Sequence, residues 1–139
     1  MKKSALLNAP LSQLVASLGH TDEYTVCDAG LPIPSQVQRI DLALTAGIPS
    51  FLDTVATLLS ESQVESVILA EEIREMNADL HQSLLTLLEQ ESQTHTQPIT
   101  VEYMPHEAFK ARTQRSKAIV RTGECSPFAN IIFRAGVTF

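Results

Sequence analysis

The sequence predicts an α/β fold, a three-layer sandwich in which helices flank a mostly parallel sheet. Short β-type runs alternate with helical patterns from end to end, the pattern of that class. Loops stiffened by proline and glycine follow the strand candidates, as they do at the carboxyl ends of strands in open α/β sheets. The chain has 139 residues, 44% of them hydrophobic, and shows no internal repeat or linker-like stretch. It therefore reads as one domain spanning residues 1–139.

Leu11, Leu14, Val15 and Leu18 recur at helical spacing after Pro10, and Gly19 stands where a C′ glycine would stop that helix. Residues 24–27 read as a strand ending at Asp28. The stretch Asp28-Ala29-Gly30-Leu31-Pro32-Ile33-Pro34 holds two prolines and a glycine, so it is a rigid loop at a strand's carboxyl end. Residues 39–44 form the second strand, closed by Gly47 and Pro49. Ser50 is a reasonable N-cap for a helix whose face is Phe51, Leu52, Val55, Leu58 and Leu59. Residues 64–70 are the most apolar strand candidate and are expected at the centre of the sheet. Leu80, Leu84, Leu87 and Leu88 mark a third helix, and residues 89–97 a polar link. A strand at 99–103, a short helix around 107–114, and strands at 117–121 and 130–133 complete the chain.

Composition excludes several classes. Ten Lys and Arg against sixteen Asp and Glu give a net charge of −6. An acidic chain is repelled by phosphate backbones and anionic lipid, so neither nucleic acid nor a membrane surface is expected as a partner. No apolar run approaches the roughly 20 residues of a membrane span. Met1-Lys2-Lys3-Ser4-Ala5-Leu6-Leu7 begins like a signal peptide, but Asn8, Pro10, Ser12 and Gln13 interrupt it. The expectation is a soluble, cytoplasmic protein, in which Cys27 and Cys125 are free thiols. G-x-G-x-x-G, G-x-x-x-x-G-K-[ST] and G-x-S-x-G are absent, as are a His pair at i, i+4 and a cysteine cluster for zinc. What remains is acid–base chemistry.

Four histidines are candidates for it. His81, at the edge of a leucine stripe, and His95, in a polar link, read as solvated surface imidazoles. His20 sits in the short loop Gly19-His20-Thr21-Asp22 at the lip of the sheet. There it either eases a helix dipole or carries catalysis. His106 opens a helix after Met104-Pro105. A cation there would oppose the dipole, so the ring reads as a neutral donor or acceptor, or as an indifferent N-terminal residue. Asp28 follows an apolar strand inside a stiff loop, where a carboxylate is costly unless paired or met by a ligand. It also suits the capping of nearby backbone N–H groups. Glu71-Glu72 follow another strand and suit a helix start. The turn Gly123-Glu124-Cys125-Ser126-Pro127-Phe128-Ala129-Asn130 sets an aromatic ring near an amide, a pairing that suits the apolar face and hydroxyl edge of a sugar.

At these residues the chain resembles the D-ribose pyranase family, relatives of fucose mutarotase. The resemblance runs the whole length. It includes Leu18-Gly19-His20-Thr21-Asp22, the 28–34 loop, Arg39-Ile40-Asp41-Leu42-Ala43-Leu44 and Ala70-Glu71-Glu72-Ile73. It continues through Val120-Arg121-Thr122-Gly123-Glu124, Pro127-Phe128-Ala129-Asn130 and Ala135-Gly136-Val137-Thr138-Phe139. It implies an enzyme that interconverts the β-pyranose and β-furanose forms of D-ribose without a cofactor. It also implies assembly into a homodecamer, with sites near subunit boundaries. By matching position, His20 carries over as the catalytic acid/base, and Asp28, His106, Phe128, Ala129 and Asn130 as sugar-binding positions. Family members usually carry Tyr where Phe128 stands. Two other readings stay open: a mutarotase for another monosaccharide such as fucose, and a non-catalytic sugar-binding assembly protein.

Overall fold

In a computed structural model, which describes residues 1–95 and 97–139, the strands are β1 (Glu23–Cys27), β2 (Gln38–Asp41), β3 (Val64–Ala70), β4 (Thr100–Met104), β5 (Ala118–Arg121) and β6 (Ile131–Ala135). They join in one sheet of order β2-β5-β1-β6-β3-β4. β1 is parallel to β5, β5 to β2, and β3 to β4, whereas β6 runs antiparallel between β1 and β3. Five strands therefore share a direction, and their carboxyl ends lie along one edge. The helices are α1 (Ala9–Ser17), α2 (Phe51–Leu59), α3 (Ile73–Met76), α4 (Ala78–Ser92) and α5 (His106–Arg112).

Alternation along the strands gives the sheet two apolar faces, which is why helices lie on both. Tyr24, Val26, Val67, Leu69, Ile131 and Phe133 bury against α1, α2 and α4. Cys27, Ile68, Ala70, Ile119 and Ile132 bury against Phe109 of α5 and against Leu31 and Val37 from the loop after β1. The three-layer, mostly parallel arrangement expected from the sequence is the one observed. Ser50 caps α2 as expected, its hydroxyl accepting from the Asp53 N–H at 3.1 Å. Cys27 and Cys125 are free, and burial, with the nearby Asp28 charge, pushes the Cys27 thiol up to about 12.

Several boundaries depart from expectation for local reasons. Gly19 does not close α1 in a left-handed conformation; Leu18 leaves the helix extended, and the left-handed residue is Thr21, at φ 68°. β2 ends at Asp41 rather than 44, because the Asp41 carboxylate accepts from the Ala43 N–H and turns the chain out of the sheet. Residues 89–92 extend α4 instead of forming a link; they are the polar end of a helix whose Leu84 and Leu88 are buried. α3 is only four residues long, too short to show a helical period. β3 has the expected bounds but not the central place. β6 returns through the middle of the sheet, so β1 and β6 are central and β3 lies one strand from the edge.

Candidate active site

At the carboxyl edge, the chain leaves β1 toward β5 on one side and leaves β3 toward β4 on the other. The divergence lies above the start of β6, the position at which open α/β sheets hold ligands. Asp28 follows β1 there and Asn130 precedes β6. They are tied reciprocally: the Asp28 N–H donates to Asn130 Oδ1 at 3.0 Å, and Asn130 Nδ2 donates to Asp28 Oδ2 at 3.0 Å. Asp28 Oδ1 also accepts from the Gly30 N–H at 2.9 Å. Asn130 is fully buried, which fixes which way its amide points. The loop after Asp28 is pinned on both sides, the Ala29 N–H donating to Glu124 O and Arg121 Nε to Ala29 O.

Phe128 and His106 extend the cluster. Their rings meet edge to face with centroids 5.0 Å apart. Phe128 holds φ at 58°, a left-handed value that is costly for a bulky residue and persists only when its surroundings impose it. Those surroundings are visible. Asn77 Nδ2 donates to Ser126 Oγ and Pro127 O just before it, and the Asn130 N–H closes back on Phe128 O over buried Ala129. His106 is held through its backbone, its N–H donating to both Glu72 oxygens at 3.1 and 3.0 Å. That bond, more than any other effect, draws the Glu72 carboxyl below its ordinary range. Among the described residues, His106 Nδ1 is buried without a hydrogen-bond partner.

His20 is elsewhere. It precedes β1 whereas Asp28 follows it, so the five residues of β1, roughly 16 Å at 3.3 Å per residue, separate the two within one chain. His20 borders a cleft of about 530 Å³ at the amino edge, shared with Leu18, Gln63 and the 135–139 tail. Its Nε2 lies 3.0 Å from Glu65 Oε2, and its side chain is 56% exposed. The structure thus groups five of the six expected positions and sets the sixth at the opposite edge.

The other two histidines are not the solvated imidazoles expected. His81 Nε2 is 2.7 Å from the Tyr103 hydroxyl, whose ring also carries the Arg74 guanidinium 3.6 Å from its centroid. Partial burial, with the Arg74 charge, lowers the pKa of His81. His95 is 10% exposed and fixed between Glu91 at 3.1 Å and Gln63 at 3.2 Å. Sequence reasoning also missed Glu65 and the clamp that Glu72 makes on His106. These contacts join residues 45 and 34 positions apart, and no local pattern announces them.

The fold is that of an open α/β sheet protein, with a carboxylate, an amide, an imidazole and an aromatic ring gathered at the edge where such sheets hold small ligands. Residues 1–138 match the RbsD / FucU transport protein family, and the chain belongs to it. It is 63% identical to the D-ribose pyranase of Vibrio parahaemolyticus and 62% identical to that of Vibrio cholerae, in each case over 100% of both chains. Among solved structures it is similar to Bacillus subtilis RbsD complexed with D-ribose, at 45% identity and TM-score 0.91, again over 100% of both chains. The fucose mutarotase of Streptococcus pneumoniae, solved with L-fucose, shares the fold at 23% identity and TM-score 0.71, over 96% of this chain and 95% of that one. Although the family is described as one of transport proteins, no helix among the described residues is long and apolar enough to cross a membrane.

The placement of Phe128 carries a prediction. Its ring packs edge to face against His106 and is half-buried rather than enclosed in the core. Phe128→Tyr is expected to fold normally and to leave ribose affinity unchanged or stronger by about 0.5–1.5 kcal/mol, the net value of one hydrogen bond. Ribose titration and a melting curve check it. Lower stability together with weaker binding would place the ring in the core instead.

Proposed function

We propose that this chain is an isomerase that interconverts the β-pyranose and β-furanose forms of D-ribose by acid–base ring opening and closure. The observation that carries the reading is full-length identity of 63% to a D-ribose pyranase. Ring opening removes a proton from the anomeric hydroxyl, breaks the bond from C1 to the ring oxygen and delivers a proton to that oxygen. Closure through a different hydroxyl reverses the sequence. Atoms and electrons balance without any redox step, so an imidazole and a few orienting groups suffice.

In this reading His20 is the acid/base, while Asp28, His106, Phe128, Ala129 and Asn130 hold the sugar. The buried, unpartnered Nδ1 of His106 supports the assignment, since a sugar hydroxyl is the kind of group that would satisfy it. One sugar cannot span β1, so His20 and the carboxyl-edge cluster act on it together only if they come from two copies of the chain. The functional unit in this reading is therefore a homo-oligomer; the family resemblance makes it a homodecamer in the cytoplasm, with residues 1–139 as one domain. Exposed Val137 and Phe139 beside His20, and exposed Leu44 and Ile48, are apolar surface of the kind a subunit contact covers.

Dilution below the assembly threshold is expected to lower specific activity, measured by light scattering in parallel with exchange rate. A monomer with full activity would reject the composite site. Saturation-transfer NMR on ribose tests the reaction itself, because ring-form exchange and anomer exchange give different cross-peaks. Catalysed pyranose–furanose exchange is the expected result. Exchange confined to anomers, or faster with fucose, would favour the mutarotase reading, and binding without exchange would favour a sugar-binding assembly protein.

A further inference from the structure

We propose that Glu65 is the positioning residue of His20, holding its Nε2–H so that Nδ1 is the atom that exchanges protons with the sugar. The inference rests on the reading of His20 as the acid/base. A carboxylate only accepts hydrogen bonds, so at 3.0 Å from Glu65 Oε2 the His20 Nε2 carries the proton. In the neutral ring the lone pair is then on Nδ1. That nitrogen takes the anomeric proton as the bond from C1 to the ring oxygen breaks, and the imidazolium returns a proton to the ring oxygen.

The backbone is built around this contact. β3 pairs Val64 with Ala135 and Ser66 with Arg134, which leaves Glu65 as the extra residue of a β-bulge against β6. Bulges re-aim a side chain, at the expense of a regular ladder. Gly136 stands against the stem of Glu65, and a Cβ there would come within 3.3 Å of Glu65 Cβ. On the other side, His20 is presented by a turn locked to the same place. The Thr21 N–H donates to Ala135 O, the Ala135 N–H to Asp22 O, and the Gly19 N–H to Asp22 Oδ2. Thr21, β-branched, is strained in that turn at φ 68°. A bulge and a strained turn thus converge on a histidine–carboxylate hydrogen bond whose side chains are 56% and 38% exposed. So exposed a pair contributes little to stability. What the arrangement secures is the direction of the His20 ring.

The test is the concentration dependence of ribose exchange for Glu65→Ala and Glu65→Gln, with His20→Gln beside them. Glu65→Ala is expected to lower the maximal rate about tenfold, a part of the roughly 10²–10⁴-fold that a general acid–base group contributes, with half-saturation unchanged. Glu65→Gln keeps an orienting oxygen and is expected to recover most of that loss. An unchanged rate for Glu65→Ala, a loss confined to half-saturation, or a Gln variant no better than Ala would each overturn the proposal. If His20→Gln itself retains full exchange, the reading of His20 fails instead, and the two failures are distinct.

Discussion

A His20→Gln variant is expected to fold normally and to lose catalysed ring exchange by about 10²–10⁴-fold, or roughly 3–5.5 kcal/mol of transition-state stabilisation. The fold should persist because His20 lies in a loop with its side chain 56% exposed, and because the turn around it is held by backbone atoms and Asp22. A glutamine amide can still donate to Glu65, so the local hydrogen bond survives. What a glutamine amide cannot do is accept the anomeric proton and pass it on, the task an imidazole performs. Saturation-transfer NMR gives the rate and a melting curve gives the integrity of the fold. Near-normal exchange in a well-folded variant would remove His20 from the reaction.

How legible the molecule was depends on the range of the interactions. α2 was legible because its cap, Ser50, and its buried face, Phe51, Val55, Leu58 and Leu59, are neighbours in sequence. The loop after β1 was legible because two prolines and a glycine leave it no regular structure. The end of α4 was not, since its last turn is polar and carries no apolar signal. The place of β3 was not legible either. β3 and β6 are both apolar on two faces, and the insertion of β6 between β1 and β3 depends on pairings more than sixty residues apart. The same limit hid Glu65 and Glu72. Each looks like an ordinary surface acid in the string and becomes informative only when a bulge or a helix start brings it to a histidine. By contrast, the separation of His20 from Asp28 is implicit in the sequence, because one precedes a strand and the other follows it.

Asp28→Asn is expected to weaken ribose binding by about 1.5–3 kcal/mol, the range for a hydrogen bond to a charged group. The expectation follows from which lone pairs are already engaged. One Asp28 oxygen faces the Gly30 N–H and the other faces the Asn130 amide nitrogen, so both neighbours are donors. An asparagine must turn its own NH₂ toward one of them, donor against donor. Asn130 cannot flip to relieve the clash, because its oxygen already accepts from the Asp28 N–H and the residue is fully buried. The substitution therefore also costs about 1 kcal/mol of fold stability, the net value of the lost bond. Binding is to be measured by titration well below the melting temperature, so that the folded population is complete in both proteins. Weaker binding with a modest drop in melting temperature matches a carboxylate that both ties the loop and faces the sugar. Unchanged affinity with only the melting temperature lowered would leave Asp28 as a loop tie, and would remove it from the sugar site.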